Sequence, residues 1–169
     1  MLSGRRALVT GGSRGIGAAI VQRLAADGAQ VAFTYAPSSR PADKLRSDVS
    51  AQGETVVAIR ADSADTQQVI AAVDDAVAQL GGLDILVNNA GVANSGPVES
   101  FSSETFDRTL AINIRAVFAA IQCAIPHLGA GGRIIYFYQL RIQAADRSGS
   151  RVRCRVRSAT CCVHDQHPG

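Results

Sequence analysis

Along the first 138 residues, short and mostly apolar runs alternate with segments in which apolar positions recur every three or four residues. Ala7–Val9, Val31–Tyr35, Val56–Ile59, Asp84–Val87 and Arg133–Phe137 read as five strands. They lack a regular polar face, which predicts burial on both sides, as in a parallel sheet. Four helical patterns lie between them. Ile16, Ala19, Ile20 and Leu24 are spaced as one helix, stopped by Gly28. A second helix opens at Pro41, carries Leu45 and Val49 inward and stops before Gly53. Asp65 caps a third, with Val69, Ile70, Val73, Val77 and Leu80 on one face. Ser102 or Ser103 starts the fourth, which turns Phe106, Leu110, Ile114, Val117 and Ile121 inward until Pro126 ends it. The order is β-α-β-α-β-α-β-α-β. Right-handed crossovers make this a doubly wound, Rossmann-like α/β sheet, expected to be truncated after the fifth strand.

Composition divides the chain at the end of that pattern. Residues 1–138 carry 11 Lys and Arg against 12 Asp and Glu. Residues 139–169 carry six Arg and two Asp, and hold Cys154, Cys161 and Cys162. We therefore read 1–138 as one Rossmann-like domain and 139–169 as an atypical Arg- and Cys-rich tail, expected to be disordered. Of the 17 basic residues only Lys44 is a lysine. No uninterrupted apolar run approaches the roughly 18 residues of a membrane span. The short N-terminus leads straight into a strand and shows no signal peptide. A cytoplasmic protein without a membrane partner is the expectation.

The tail offers two sharper motifs. Cys161, Cys162, His164 and His167 are soft metal ligands, but adjacent cysteines rarely both ligate zinc and no C-x-x-C is present, so no metal site is expected. Arg151, Arg153, Arg155 and Arg157 form one short basic run without interleaved aromatics. That argues for a solvated tail rather than a nucleic-acid partner.

Chemistry enters at TGGSRGIG, Thr10–Gly17, between the first strand and the first helix. Its glycines follow G-x-x-x-G-x-G rather than G-x-G-x-x-G. Gly11 permits a tight turn, Gly15 lets backbone N–H groups approach a pyrophosphate, and Gly17 lets helix and strand pack closely. The pyrophosphate then faces a helix N-terminus. An NAD-binding fold places an acid on the ribose after the second strand. Here Thr34, Tyr35, Ala36, Pro37, Ser38, Ser39 and Arg40 follow Phe33, with no Asp or Glu. Arg14 in the loop and Arg40 after the strand suit a 2′-phosphate, although two solvated loop charges would look the same. The expected cofactor is NADP(H) rather than NAD(H).

Asp62 in RADS follows the third strand, NNAG (Asn88–Gly91) ends the fourth, and LAIN (Leu110–Asn113) lies in the long helix. With the glycine loop, these motifs resemble the short-chain dehydrogenase/reductase family, and most of all its bacterial 3-oxoacyl-(acyl carrier protein) reductase-type members. The resemblance implies NADP(H)-dependent reduction of a small carbonyl substrate, or oxidation of an alcohol, with a 3-oxoacyl thioester as the leading substrate. Members of the family are usually homotetramers or dimers, but the segments that build that interface are expected to be largely missing here. It also implies cofactor roles for Gly11, Ser13, Arg14, Gly15, Ile16, Gly17, Asp62, Asn89, Ala90 and Gly91, and Tyr35, Arg40 and Ser63 complete the expected cofactor site. Asp62 would touch adenine and the NNAG turn would support the sheet beside the ribose. Asn113 would bend its helix and hold a water in the proton relay.

Asn113 is the one catalytic residue of the family that survives. The family's serine belongs near 139 and its Tyr-x-x-x-Lys near 152 and 156, where this chain has Gln139, Val152 and Val156. Tyr136 and Tyr138 come too early and read as strand residues. The chain is therefore expected to be impaired in catalysis, leaving a non-catalytic NADP(H)-binding module or a frame-shifted product as alternatives. If Tyr136–Gln139 were encoded TAT TTC TAT CAG, a step of one base would give Ile-Ser-Ile-Ser, with serine in place. The same step across Arg151–Cys154 can restore a tyrosine but not the lysine.

Overall fold

The strands that lack a polar face lie at the centre of the molecule. A computed structural model describes residues 2–36, 38–94, 96–137, 141–145, 151–155 and 159–162. In chain order the elements are β1 (Arg6–Val9), α1 (Gly15–Ala26), β2 (Gln30–Tyr35), α2 (Arg40–Ser50), β3 (Val56–Arg60), α3 (Thr66–Leu80), β4 (Leu83–Asn88), α4 (Ser103–Leu110), α5 (Ala116–Ala124) and β5 (Leu128–Tyr136). A π-helical turn, Ala111–Arg115, joins α4 to α5. The sheet runs β3-β2-β1-β4-β5, all parallel, so the order reverses between β1 and β4.

Successive strand residues supply opposite faces. Ala7, Val9, Val31, Phe33 and Val87 pack with Val21, Ala25, Leu45 and Val49 on one side. Leu8, Ala32, Leu86 and Ile134 pack with Val69, Val73, Ala116 and Ala120 on the other. The core therefore fixes the strand ends, and with them the loops that follow.

The long helical stretch differs from its expected phase. Val117 and Ile121 are partly buried, but Phe106, Leu110 and Ile114 face solvent, and Phe118 is 64% exposed. Ile112, Ala116, Ala119, Ala120 and Ala124 face the core instead. Two physical causes act together. Small residues let a helix lie close to the sheet, so alanines take the inner face. The Ala116 N–H bonds to Ala111 O, five residues back, and this wider turn rotates the downstream face away from the simple 3.6-residue phase. Ser103–His127 is long and apolar enough to cross a membrane by length and composition, which no uninterrupted run revealed; here it lies on the sheet and α3.

The far edge of the sheet also departs from expectation. As a truncated fold, β5 would end as an unpaired edge. The described tail residues form β6 (Arg141–Ala145), β7 (Arg151–Arg155) and β8 (Ala159–Cys162). β8 pairs antiparallel with β5, Ile134 opposite Cys161 and Ile135 opposite Thr160, while β6 and β7 pair with each other. Pairing of this kind covers the edge's backbone groups.

Away from the loops that carry the motifs, Arg6 ties β1 to β4. Its Nε donates to Asp84 Oδ2 at 2.8 Å, its backbone N–H to the same oxygen at 2.9 Å, and Arg5 adds a contact at 3.4 Å. Only 15% of the Asp84 side chain is exposed. Hydrogen bonds from the Arg6 side chain, opposed by burial, hold its carboxyl below the ordinary 3.8. An acid depressed on folding stabilises above its unfolded pKa, and that contribution fades as pH falls through the folded value. Asp84→Asn should therefore cost about 1–2 kcal/mol at neutral pH, discounted because Arg6 is partly exposed. The gap to the native chain should close below pH 3.8, read by denaturant melts at both pH values.

Candidate functional site

Three loops meet where the sheet order reverses, at the carboxyl ends of β1 and β4. Open α/β sheets bind ligands at this place. Thr10 directly follows β1 and is almost fully buried. Its Oγ1 accepts the N–H groups of Asn89 and Ala90, each at 3.0 Å. In return Asn89 Nδ2 donates to Thr10 O at 2.9 Å and Gly11 O at 3.1 Å. The glycine loop and the NNAG turn are thus one hydrogen-bonded unit. β2 secures its other side: Gly11 N–H donates to Thr34 Oγ1 and Gly12 N–H to Thr34 O, both at 2.9 Å.

The loop's geometry matches what its glycines permit. Gly15 has φ +56° and a Cβ there would meet nothing within 4 Å among the described residues, which leave the space over the loop open. A Cβ on Gly17 would strike Gly11 O and Asn89 Nδ2, so α1 could not come this close with any other residue. α1 then begins without a side-chain cap: Arg14 is its N-cap residue in extended conformation and no acid sits in the first turn. Helix α2 also lacks a side-chain cap, but it has Asp43 in its first turn, and the contrast with α3 and α4 is sharper. Asp65 caps α3 by accepting from the N–H groups of Gln67 and Gln68, and the Ser102 hydroxyl accepts the Thr105 N–H for α4. The leading N–H groups of α1 point with the helix dipole into open space, an arrangement suited to an anion.

The remaining predicted residues lie in the glycine loop and in the segments that end or follow β2, β3 and β4, at the same edge of the parallel sheet. Ser13 is half-buried; Arg14, Gly15 and Ile16 are exposed, Ile16 by 66%. Tyr35 ends β2, half-buried, and exposed Arg40 opens α2. Neither Arg14 nor Arg40 forms an ion pair among the described residues. Asp62 and Ser63 follow β3, both half-buried. Asn88 is 1% exposed and its Nδ2 has no hydrogen-bond partner among the described residues. It lines a small recess with Thr10, Ser63, Ala90 and Ile112. A buried amide without an acceptor is costly, and a ligand oxygen or ring nitrogen would satisfy it.

Asn113 lies in the π-helical turn, where its Oδ1 accepts the Val92 N–H at 2.9 Å and its Nδ2 donates to Val92 O at 2.8 Å. It clamps the strand-to-helix loop just past Gly91. Tyr136 belongs to β5, as expected of a strand residue, and its hydroxyl donates to Asn113 O at 3.2 Å. Tyr138, Gln139 and Val156 lie outside the described residues, as do His164 and His167; Val152 falls in β7. No group of three or more His, Cys, Asp or Glu that could hold a metal occurs among the described residues.

Sequence reasoning passed over Thr34, Arg108 and Gly12, and used Thr10 only as a motif letter. A methyl on Gly12 would crowd Phe33 and Val21. The available signal was a threonine next to the end of each of two adjacent apolar strands. Arg108, whose guanidinium reaches Asp62 at 3.3 Å, carried no local signal.

Comparison with known proteins extends this picture. The family model for short chain dehydrogenases matches residues 5–138. A short chain dehydrogenase/reductase of Aspergillus aculeatus is 44% identical over 134 residues, 79% of this chain and 51% of that protein. Elsinochrome reductase 1 of Elsinoe fawcettii is 44% identical over 143 residues, 85% of this chain and 54% of that protein. Among solved structures, a short chain dehydrogenase from Burkholderia cenocepacia in complex with NADP superposes with TM-score 0.78 at 53% identity, covering 80% of this chain and 55% of that one. A metagenomic blue fluorescent protein in complex with NADPH superposes with TM-score 0.77 at 52% identity, covering 80% and 56%. The chain spans about half the length of the relatives it matches.

Proposed function

The chain belongs to the short-chain dehydrogenase/reductase family, and from that premise we propose that it holds NADP(H) where β1 and β4 diverge, as the cofactor-binding part of an oxidoreductase for small carbonyl or alcohol substrates. The observation that carries this is the uncapped start of α1 beneath an open Gly15, with Arg14 at that start and Arg40 after β2 forming no ion pair among the described residues. The α1 N–H groups would hold the pyrophosphate, and Arg14 with Arg40 the 2′-phosphate, which a carboxylate after β2 would repel. Asp62 would accept from the adenine amino group, and Asn89, Ala90 and Gly91 would wall the ribose. The cofactor, when bound, supplies hydride chemistry. The solved relatives that hold NADP and NADPH support the choice of cofactor. We place the protein in the cytoplasm and take a 3-oxoacyl thioester as the substrate class.

This chain binds without efficient turnover. Proton transfer to an emerging alkoxide needs a positioned acid, and acid–base help is worth about 10²–10⁴ in rate. Gln139, Val152 and Val156 supply none. Titration should show NADPH binding at least about tenfold tighter than NADH, as expected of charge-assisted contacts to a phosphate. NADPH oxidation with acetoacetyl thioesters should stay at background. Tighter NADH binding would refute the cofactor reading, and robust turnover would refute the loss of catalysis. One observation favours a frame-shifted origin for the tail: the family match ends at residue 138, where arginine enrichment begins. The nucleotides around codon 136 decide it, since codons yielding no family-like residues in either shifted frame would exclude it.

A further inference from the structure

Asp62 is the one candidate cofactor residue whose charged group is held from two directions. Its Oδ1 accepts the Ala64 N–H at 2.9 Å, within its own loop. Its Oδ2 lies 3.3 Å from the guanidinium NH2 of Arg108, on α4 and 46 residues away in sequence. The Asp62 backbone is fixed as well, its N–H donating to Gln68 Oε1 at 3.0 Å. Arg108 makes no other ion pair among the described residues. Both side chains are substantially exposed, so the pair adds little to stability. Its effect is on orientation. A carboxylate free to rotate on a surface loop spreads over several rotamers, whereas one held at both oxygens keeps one plane. Each carboxylate oxygen has two acceptor directions, so both contacts together leave a direction open on each.

We propose that Arg108 is a positioning residue that fixes the Asp62 carboxylate to accept the 6-amino group of adenine, and so sets selectivity for an adenine dinucleotide over a 6-oxo purine one. A 6-oxo purine presents an acceptor oxygen where adenine presents a donor, and an acceptor facing a fixed carboxylate is repelled. The proposal rests on the reading that Asp62 contacts adenine. Because a guanidinium offers a fixed donor plane and an ammonium does not, lysine should replace Arg108 only in part.

The test is fluorescence titration of the full chain with NADPH and with its analogue carrying hypoxanthine in place of adenine. The native chain should prefer NADPH by about tenfold, the scale of one charge-assisted hydrogen bond. Asp62→Ala should bring the two ligands to near parity. Arg108→Gln should reduce the preference to about twofold with an unchanged melting temperature, and Arg108→Lys should fall between. If Arg108→Gln keeps the full preference, or weakens both ligands equally, while Asp62→Ala abolishes it, the Arg108 proposal fails and the Asp62 reading stands. If Asp62→Ala keeps the preference, or the native chain binds neither ligand, both fail together.

Discussion

Gly15→Asp should abolish NADPH binding while leaving the fold nearly intact. Position 15 is the first residue of α1 and has φ +56°. Aspartate tolerates that region better than most residues, at a cost of about 1 kcal/mol relative to glycine. Its side chain enters open space, so packing does not change. Its charge lands at a helix start that has neither cap nor acid, where it recovers about 0.3–1 kcal/mol. Folding therefore comes out close to neutral. Binding does not, because the carboxylate takes the N–H groups that the pyrophosphate needs and repels its charge. Affinity should fall at least about a hundredfold, close to 3 kcal/mol. Calorimetric titration beside a thermal melt checks both halves. Gly15→Ala carries the strain without the charge and should bind between the two. A Gly15→Asp chain that bound NADPH within about threefold of native would remove α1 as the pyrophosphate site.

The same residues show how far local pattern reaches. The five parallel strands were legible because burial on both faces leaves them without polar alternation, as in Ala7–Val9 and Val31–Phe33. The caps at Asp65 and Ser102 were legible because a single side chain makes each one. The phase of the fourth helix was not. Its large residues, Phe106, Leu110 and Ile114, mark an apolar stripe, but packing distance selected the alanines and the π-helical turn shifted the register. Pairing of β5 with β8 was also hidden, because strand pairing across residues 134 and 161 depends on the whole sheet edge rather than on either segment.

Within the site, the glycine loop could be read because its conformational demand is local. The contacts that join loops could not. Asn89 meets Thr10 across 79 positions and Arg108 meets Asp62 across 46. Such pairs appear only once the strand order brings β1 against β4 and α4 over the end of β3. Tyr136 is similar: its strand assignment was local, whereas its hydroxyl's contact with Asn113 O needed the π-helical turn to be in place.

Thr10→Val should produce a large loss of stability. Valine keeps the shape of threonine and removes its oxygen. That oxygen accepts two backbone N–H groups, from Asn89 and Ala90, at 3.0 Å each. Both donors would lose their partner beside a residue that is almost fully buried. Leaving one buried donor unsatisfied costs about 1–3 kcal/mol, and partial hydration of this turn brings the pair to about 2–4 kcal/mol. For a chain of this size the melting temperature should fall by roughly 5–12 °C. Thr10→Ser retains the acceptor and should recover most of the loss. NADPH affinity should fall along with the melt in Thr10→Val, because the Asn89 and Ala90 N–H groups would lose the Oγ1 that holds their turn against the end of β1 at the switch point. The two readouts separate a structural hydroxyl from a ligand contact. A Thr10→Val chain with native stability but weakened binding would mean that the oxygen serves the cofactor directly, and the hydrogen-bonded unit of loop and turn would lose its role as the frame of the site.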